Sequence, residues 1–119
     1  MAHKIISHSF LLRFRSVNRD IFEAIRAGKK KVETRAATAR YAGIKAWDVV
    51  TFLCGKDKFQ RRVKRATIFR TIGAMLKKYT VRDINPECAT AKELRGLYFS
   101  FPGYKEKIKK FGLIALELK

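Results

Sequence analysis

Hydrophobic positions recur along this chain at two spacings, and the switches between them divide it into elements. Ile5 to Phe14 is rich in apolar and β-branched residues, with Phe10, Leu12 and Phe14 alternating with Leu11, Arg13 and Arg15. A period of two predicts a strand partly open to solvent. Val17, Ile21, Ala24 and Ile25 then recur at helical spacing, with Ser16 or Asn18 available as N-cap. Gly28 falls where a left-handed C-cap residue belongs. Lys30 to Arg35 reads as a second strand and residues 36–46 as a surface loop. Val49 to Cys54 predicts an apolar strand closed by the turn Gly55-Lys56-Asp57. Phe59 to Phe69 is extended again, with Val63, Ala66 and Ile68 among basic residues and room for a bulge.

Further on, Ile72 to Leu76 forms one or two helical turns, Thr80 caps another, and Asn85-Pro86 breaks the chain. Thr90-Ala91-Lys92-Glu93 has the capping-box form and opens a helix with Leu94, Leu97 and Tyr98 on one face. Pro102-Gly103 ends that helix, Tyr104 to Lys110 forms a basic helical stretch, and Gly112 to Leu118 closes the chain as an apolar strand. Short strands interspersed with short helices, without repeat or low-complexity segment, predict a small mixed α+β barrel.

Length and composition narrow this picture. A chain of 119 residues, 47% hydrophobic, supports one domain (residues 1–119) around a single core rather than a disordered polymer. Cys54 and Cys88 form no Cys-x-x-Cys pair, so neither a disulfide framework nor a zinc site is expected, and no cofactor or metal is implied. No apolar run approaches a membrane span and no signal-peptide core opens the chain, which points to an intracellular, cytoplasmic protein.

Charge changes the picture most. Lys and Arg number 28 against 10 Asp and Glu, a formal +18. Such an excess repels itself in the compact state and attracts polyanions, of which nucleic acid is the foremost, through counterion release. The competing explanation is a solvated basic surface that only maintains solubility. The cations lie along the whole chain, in Lys29-Lys30-Lys31, Arg61-Arg62, Lys64-Arg65, Lys77-Lys78 and residues 105–110, which fits a folded basic face better than a tail.

The candidate chemistry lies in Gly28-Lys29-Lys30-Lys31-Val32-Glu33-Thr34-Arg35. In a regular strand Lys31, Glu33 and Arg35 share one face and Lys30, Val32 and Thr34 the other, although Lys30 joins the first set if it belongs to the turn after Gly28. A carboxylate between Lys and Arg serves better as an orienting acceptor for a base or ribose than as a general base. The plainer alternative is an ion-pair ladder on a strand, worth little stability.

This stretch, of form Gly-x-Lys-x-x-Glu-x-Arg, resembles the signature of the ASCH family of the PUA-like superfamily. The order around it is also similar: a strand and helix before, Ile44-Lys45-Ala46-Trp47-Asp48 leading into an apolar strand, and Phe101-Pro102-Gly103-Tyr104 ahead of the last strand. Family members usually carry Gly-Asp where this chain has Trp47-Asp48; Trp does not adopt positive φ cheaply, and a place for its ring on the pocket rim is the alternative. The resemblance implies a PUA-like β-barrel with flanking short helices and a cleft suited to RNA, particularly single-stranded, or a nucleoside. One branch hydrolyses N4-acetylcytidine with a Lys, a Thr and a Glu. Lys30 matches the Lys and Glu87 fits the Glu, but Glu33 occupies the Thr position and Thr34 points to the other face.

Two functions follow as expectations. In the first, a binding cleft uses Lys29, Lys30, Lys31, Arg35, Arg40, Tyr41, Trp47, Arg61, Arg62, Tyr104 and Lys105 to hold RNA, with exposed rings stacking on bases. In the second, a hydrolase (ribonuclease or amidohydrolase) uses Lys30, Glu33 and Glu87 as acid–base groups. His3 and His8 lie in or before the first strand and offer no placed base. No membrane partner is expected, and the sequence does not fix an oligomeric state.

Overall fold

The computed structural model describes residues 8–119, so His3 and residues 5–7 of the first expected strand lie outside the described residues. In chain order the elements are β1 (Ser9–Phe14), α1 (Arg19–Arg26, preceded by a 3₁₀ turn at Ser16–Asn18), β2 (Val32–Ala36), α2 (Ala39–Ala42) and β3 (Val49–Cys54). They continue with β4 (Asp57–Phe69), α3 (Ile72–Met75), α4 (Val81–Ile84), α5 (Ala91–Ser100), α6 (Tyr104–Phe111) and β5 (Leu113–Leu118).

The five strands form one sheet in the order β1-β3-β4-β5-β2. β1 pairs parallel to β3, and the other neighbours are antiparallel. The bulge expected in β4 is present as a register shift between Val63 and Arg65 against β5, and a bulge sharpens local bending. The sheet curls into a half-barrel whose edge strands, β1 and β2, approach without pairing. Across that seam the Arg35 guanidinium of β2 donates to the Arg13 carbonyl of β1 at 3.2 Å.

β5 is buried on both faces, which is why its sequence is apolar without alternation. Ile114 and Leu116 join Leu12, Phe22, Ile25, Val50, Phe52 and Val63 in the core between the sheet and α1. Leu113 and Ala115 join Met75, Ile84, Leu94, Tyr98 and Ile108 beneath the later helices. The sheet therefore separates two apolar clusters, where composition alone suggested one.

Local chemistry sets the helix ends. Gly28 adopts φ +77°, and the bonds Gly28 N–H to Ile25 O (3.0 Å) and Lys29 N–H to Ala24 O (2.9 Å) form a Schellman motif. Thr80 and Asp83 make a reciprocal capping box on α4. Thr90 accepts from the Glu93 N–H at 3.1 Å, but its hydroxyl, rather than its N–H, donates to the Glu93 carboxylate. Neither Ser16 nor Asn18 caps α1 through its side chain, and the expected loop at 36–46 contains the single turn of α2.

Trp47 departs from the usual backbone geometry. It holds φ +76°, the one non-glycine residue with positive φ among those described. Its N–H donates to Val63 O and its carbonyl accepts from Arg62, both at 2.7 Å. The buried Asp48 beside it accepts from the backbone N–H of His8 (2.9 Å) and Lys45 (2.8 Å), tying the start of β1 to the turn before β3. The turn is over-determined from both sides, so the strain of a bulky residue in the left-handed region persists.

Candidate nucleoside site at the open seam of the half-barrel

Between the edge strands lies a cavity of about 240 Å³, floored by β2 and walled by the end of β1, by α5 and by the turn into α6. Its polar lining includes Lys30, Glu33 and Arg35, with Arg13 and Arg15 opposite; Phe14, Phe101 and Tyr104 supply rings. The strand period explains this grouping. Glu33 and Arg35, two apart, face the seam and Val32 packs among the helices, but Thr34, expected on the other face, also lines the cavity, its hydroxyl bonded to the Tyr98 hydroxyl of α5.

Lys30 reaches the same place from the turn, because β2 begins only at Val32. It is 4% exposed, and its ammonium has three acceptors around it: Val32 O at 2.7 Å, Ile84 O, and Glu33 Oε1 at 3.4 Å. Two of its three protons are given to the backbone carbonyls, and the third lies toward the Glu33 carboxylate as an ion pair. Burial pulls its pKa below the ordinary lysine value, with the adjacent Glu33 opposing. Lys30 therefore ties β2 to the end of α4 from the wall of the cavity.

Glu33 is also nearly sealed at 3% exposure. Oε1 accepts the Thr34 N–H at 3.0 Å in addition to Lys30, while Oε2 accepts from Arg35 Nε at 3.2 Å. With about two lone pairs per oxygen, Oε2 keeps one open acceptor position. The Arg35 guanidinium lies over the rings of Phe14 (4.7 Å) and Tyr41 (5.6 Å). Burial is the largest influence and works against its charge, but Glu33, Tyr104 and Tyr41 together outweigh it and raise its pKa, so it is a permanent cation. One Nε and one Nη2 proton are used on Glu33 and Arg13, which leaves three of five donors. The site thus presents a fixed acceptor directly beside fixed donors.

Tyr98 and Tyr104 complete the helical wall. Burial raises the pKa of both phenols, and the Tyr104 hydroxyl accepts from the Ala36 N–H at 3.4 Å. The Phe101 and Tyr104 rings meet edge to face at 5.3 Å between centroids.

The other sequence candidates lie elsewhere. Glu87 is exposed on the turn after α4 and is absent from the cavity lining; a spacing that fits along the chain points outward once Asn85 Oδ1 accepts its N–H at 2.9 Å. Lys29 and Lys31 are exposed outside the cavity, because the strand pleat that would have aligned Lys31 with Glu33 starts one residue later. Tyr41, expected in the open, is half-buried, with the guanidiniums of Arg35 and Arg40 near its ring. Trp47 is not on the cavity rim; its ring is 48% exposed and faces the Lys119 ammonium at 5.0 Å. Arg61 donates to the Arg26 carbonyl and Arg62 to that of Trp47, away from the cavity. Lys105 lines a separate concavity behind α5 and α6.

Arg13, Arg15 and Asn85 were not singled out from sequence, yet they line the cavity. For the two arginines the signal was their alternation with Phe14 at the end of β1, which says nothing of the strand facing them. Cys54 is in the core as expected, Cys88 is buried too, and no cluster among the described residues could hold a metal ion. No helix among them is long and apolar enough to cross a membrane.

Two solved structures share this architecture over nearly their whole length. The crystal structure of the hypothetical protein PH0355 matches with a TM-score of 0.79 and 27% identity, covering 93% of this chain and 97% of that one. The solution NMR structure of protein PF0455 from Pyrococcus furiosus matches with a TM-score of 0.71 and 28% identity, covering 93% and 96%. No family model and no curated protein matches the chain.

Proposed function

We propose that this chain is an intracellular, ASCH-like RNA-binding module that accepts one nucleoside in the seam cavity. The observation that carries this reading is the pairing of Glu33 and Arg35, an open acceptor beside open donors, within a ring-walled cavity on a protein of charge +18. A base edge presenting an N–H next to a carbonyl oxygen is complementary to such a pair: carboxylates take base amino protons and guanidiniums donate to base carbonyls. Rings beside the cavity favour an unstacked, single-stranded base. The hydrolase alternative is less favoured, because Lys30 already bonds two backbone carbonyls and Glu87 is outside the cavity.

The test is a titration of labelled single-stranded RNA at two salt concentrations with wild type and Arg35→Ala, together with assays for cleavage and for N4-acetylcytidine hydrolysis. The expected result is salt-sensitive binding, weakened at least about tenfold in Arg35→Ala, as for loss of a bidentate base contact, and no product. Binding indifferent to Arg35, or turnover abolished by Glu33→Gln, overturns the binding-only reading.

A further inference from the structure

The helical hairpin of α5 and α6 has a second concave side. Behind it, against the start of α3, lies a groove of about 630 Å³ lined by Arg70, Arg95, Lys105 and Lys109, with Glu106 as its sole acid. None of these four cations has a hydrogen-bond or ion-pair partner among the described residues, in contrast to Arg19, Arg26, Arg35 and Arg65, which each face a carboxylate. The groove also holds Phe99, a ring left 46% exposed one helical turn after Arg95, with the Lys105 ammonium 5.8 Å from its centroid. Gly73 leaves room above its backbone for the Arg95 guanidinium, which would lie 3.7 Å from a Cβ placed there.

Convergent, unpaired cations repel one another, and an exposed ring among them gains nothing from water. Both costs are relieved by one kind of ligand, a phosphodiester strand whose phosphates meet the cations while a base lies on the ring. We propose that this groove is a second contact track for single-stranded RNA, continuous with the seam cavity around the α5–α6 turn.

The same two helices build both walls. On α5, Leu94, Leu97 and Tyr98 face the cavity while Arg95 and Phe99 face the groove; on α6, Tyr104 faces the cavity while Lys105 and Lys109 face the groove. A helix with its side chains is about 10 Å wide, so a strand with one nucleoside in the cavity crosses the turn at residues 101–103 within a few nucleotides. This proposal rests on the cavity reading for the strand's anchor, but the two fail separately. A duplex or an acidic peptide fits less well, since neither offers an unstacked base to Phe99.

The decisive experiment measures fluorescence anisotropy with a labelled dinucleotide and a labelled 12-nucleotide single-stranded RNA at two salt concentrations. Five proteins are compared: wild type, the groove variant Arg95→Glu/Lys109→Glu, Phe99→Ala, the cavity variant Arg35→Ala, and a charge-matched control, Lys56→Glu/Lys58→Glu, at the tip of the β3–β4 hairpin. The expected wild-type result is a 12-mer bound at least about tenfold more tightly than the dinucleotide, with a steeper salt dependence. The groove variant loses that gain and leaves dinucleotide affinity unchanged, the control keeps most of it, and Phe99→Ala weakens the 12-mer about fivefold or more. Equal 12-mer losses in the groove variant and the control, or no loss in either, overturn the groove. Arg35→Ala separates the readings: if it leaves the dinucleotide untouched while the groove variant still lowers 12-mer affinity, the cavity reading fails and the groove stands.

Discussion

At the scale of the residue, Lys30 is a buried cation that ties β2 to the end of α4. Its ammonium satisfies two backbone carbonyls and one carboxylate inside the protein. Lys30→Met removes the donor and keeps most of the volume, so Glu33 loses a cation and two carbonyls lose this partner. Breaking one side of a buried pair costs about 3–5 kcal/mol, and urea unfolding should show a loss of that order. A cycle with Glu33→Gln should show coupling, because the two side chains are in contact, while Arg35 stays paired with Glu33 in Lys30→Met and loses that partner in the double variant; purely additive losses would mean that the two do not act as a pair. Trp47 offers a second test. With the ring gone from both variants, Trp47→Gly should be more stable than Trp47→Ala by about 1–2 kcal/mol, the reverse of the usual helix and strand order, because only Ala keeps a Cβ at positive φ. If Ala proves the more stable, the turn is not strained.

At the scale of elements, the join between α6 and β5 is the least forgiving point. Gly112 has φ +77° and ψ −163°, and a Cβ there would collide with the Phe69 carbonyl oxygen of the neighbouring strand. Gly112→Ala should cost at least about 3 kcal/mol by strain and overlap together, read as a lower urea midpoint or loss of soluble protein. Elements of this kind were largely legible from the chain. Period two gave β1 and continuous apolar runs gave β3 and β5; Gly28, Thr80 and Thr90 marked helix ends; and the basic interruption in β4 carried the bulge. Glu33 and Arg35 could be placed on one face for the same reason. What sequence periodicity cannot carry is which edges meet. The parallel pairing of β1 with β3 and the approach of β1 to β2 join residues more than twenty positions apart, so Arg13 and Arg15 as the facing wall were illegible. Glu87 illustrates the converse, a plausible distance along the chain without information about direction.

At the scale of the whole molecule, stability should record both the buried phenols and the unbalanced charge. Burial raises the Tyr98 pKa above its ordinary 10.0, so the folded state holds its proton longer than the unfolded chain. The associated stability is fully present below pH 10 and is lost above it, by up to about 1.4 kcal/mol per pH unit. Lys30 acts with the opposite sign: its lowered pKa makes stability rise with pH until the unfolded lysine value of 10.5 is passed. Tyr98→Phe should cost about 1 kcal/mol at neutral pH, through the Thr34 hydroxyl it leaves unpaired, yet flatten the alkaline decline in urea midpoints; an unchanged slope would assign that decline elsewhere. Salt tests the net charge. At +18 the folded surface repels itself over distances that about 0.5 M NaCl screens and 0.05 M does not. Raising NaCl across that range should therefore raise Tm, by about 3–5 °C if screening recovers about 1 kcal/mol. A fall in Tm would mean that the few surface ion pairs outweigh the repulsion. If the chain binds RNA as proposed, a short RNA added at low salt should raise Tm further through mass action, and added NaCl should erode that increment by screening the cations.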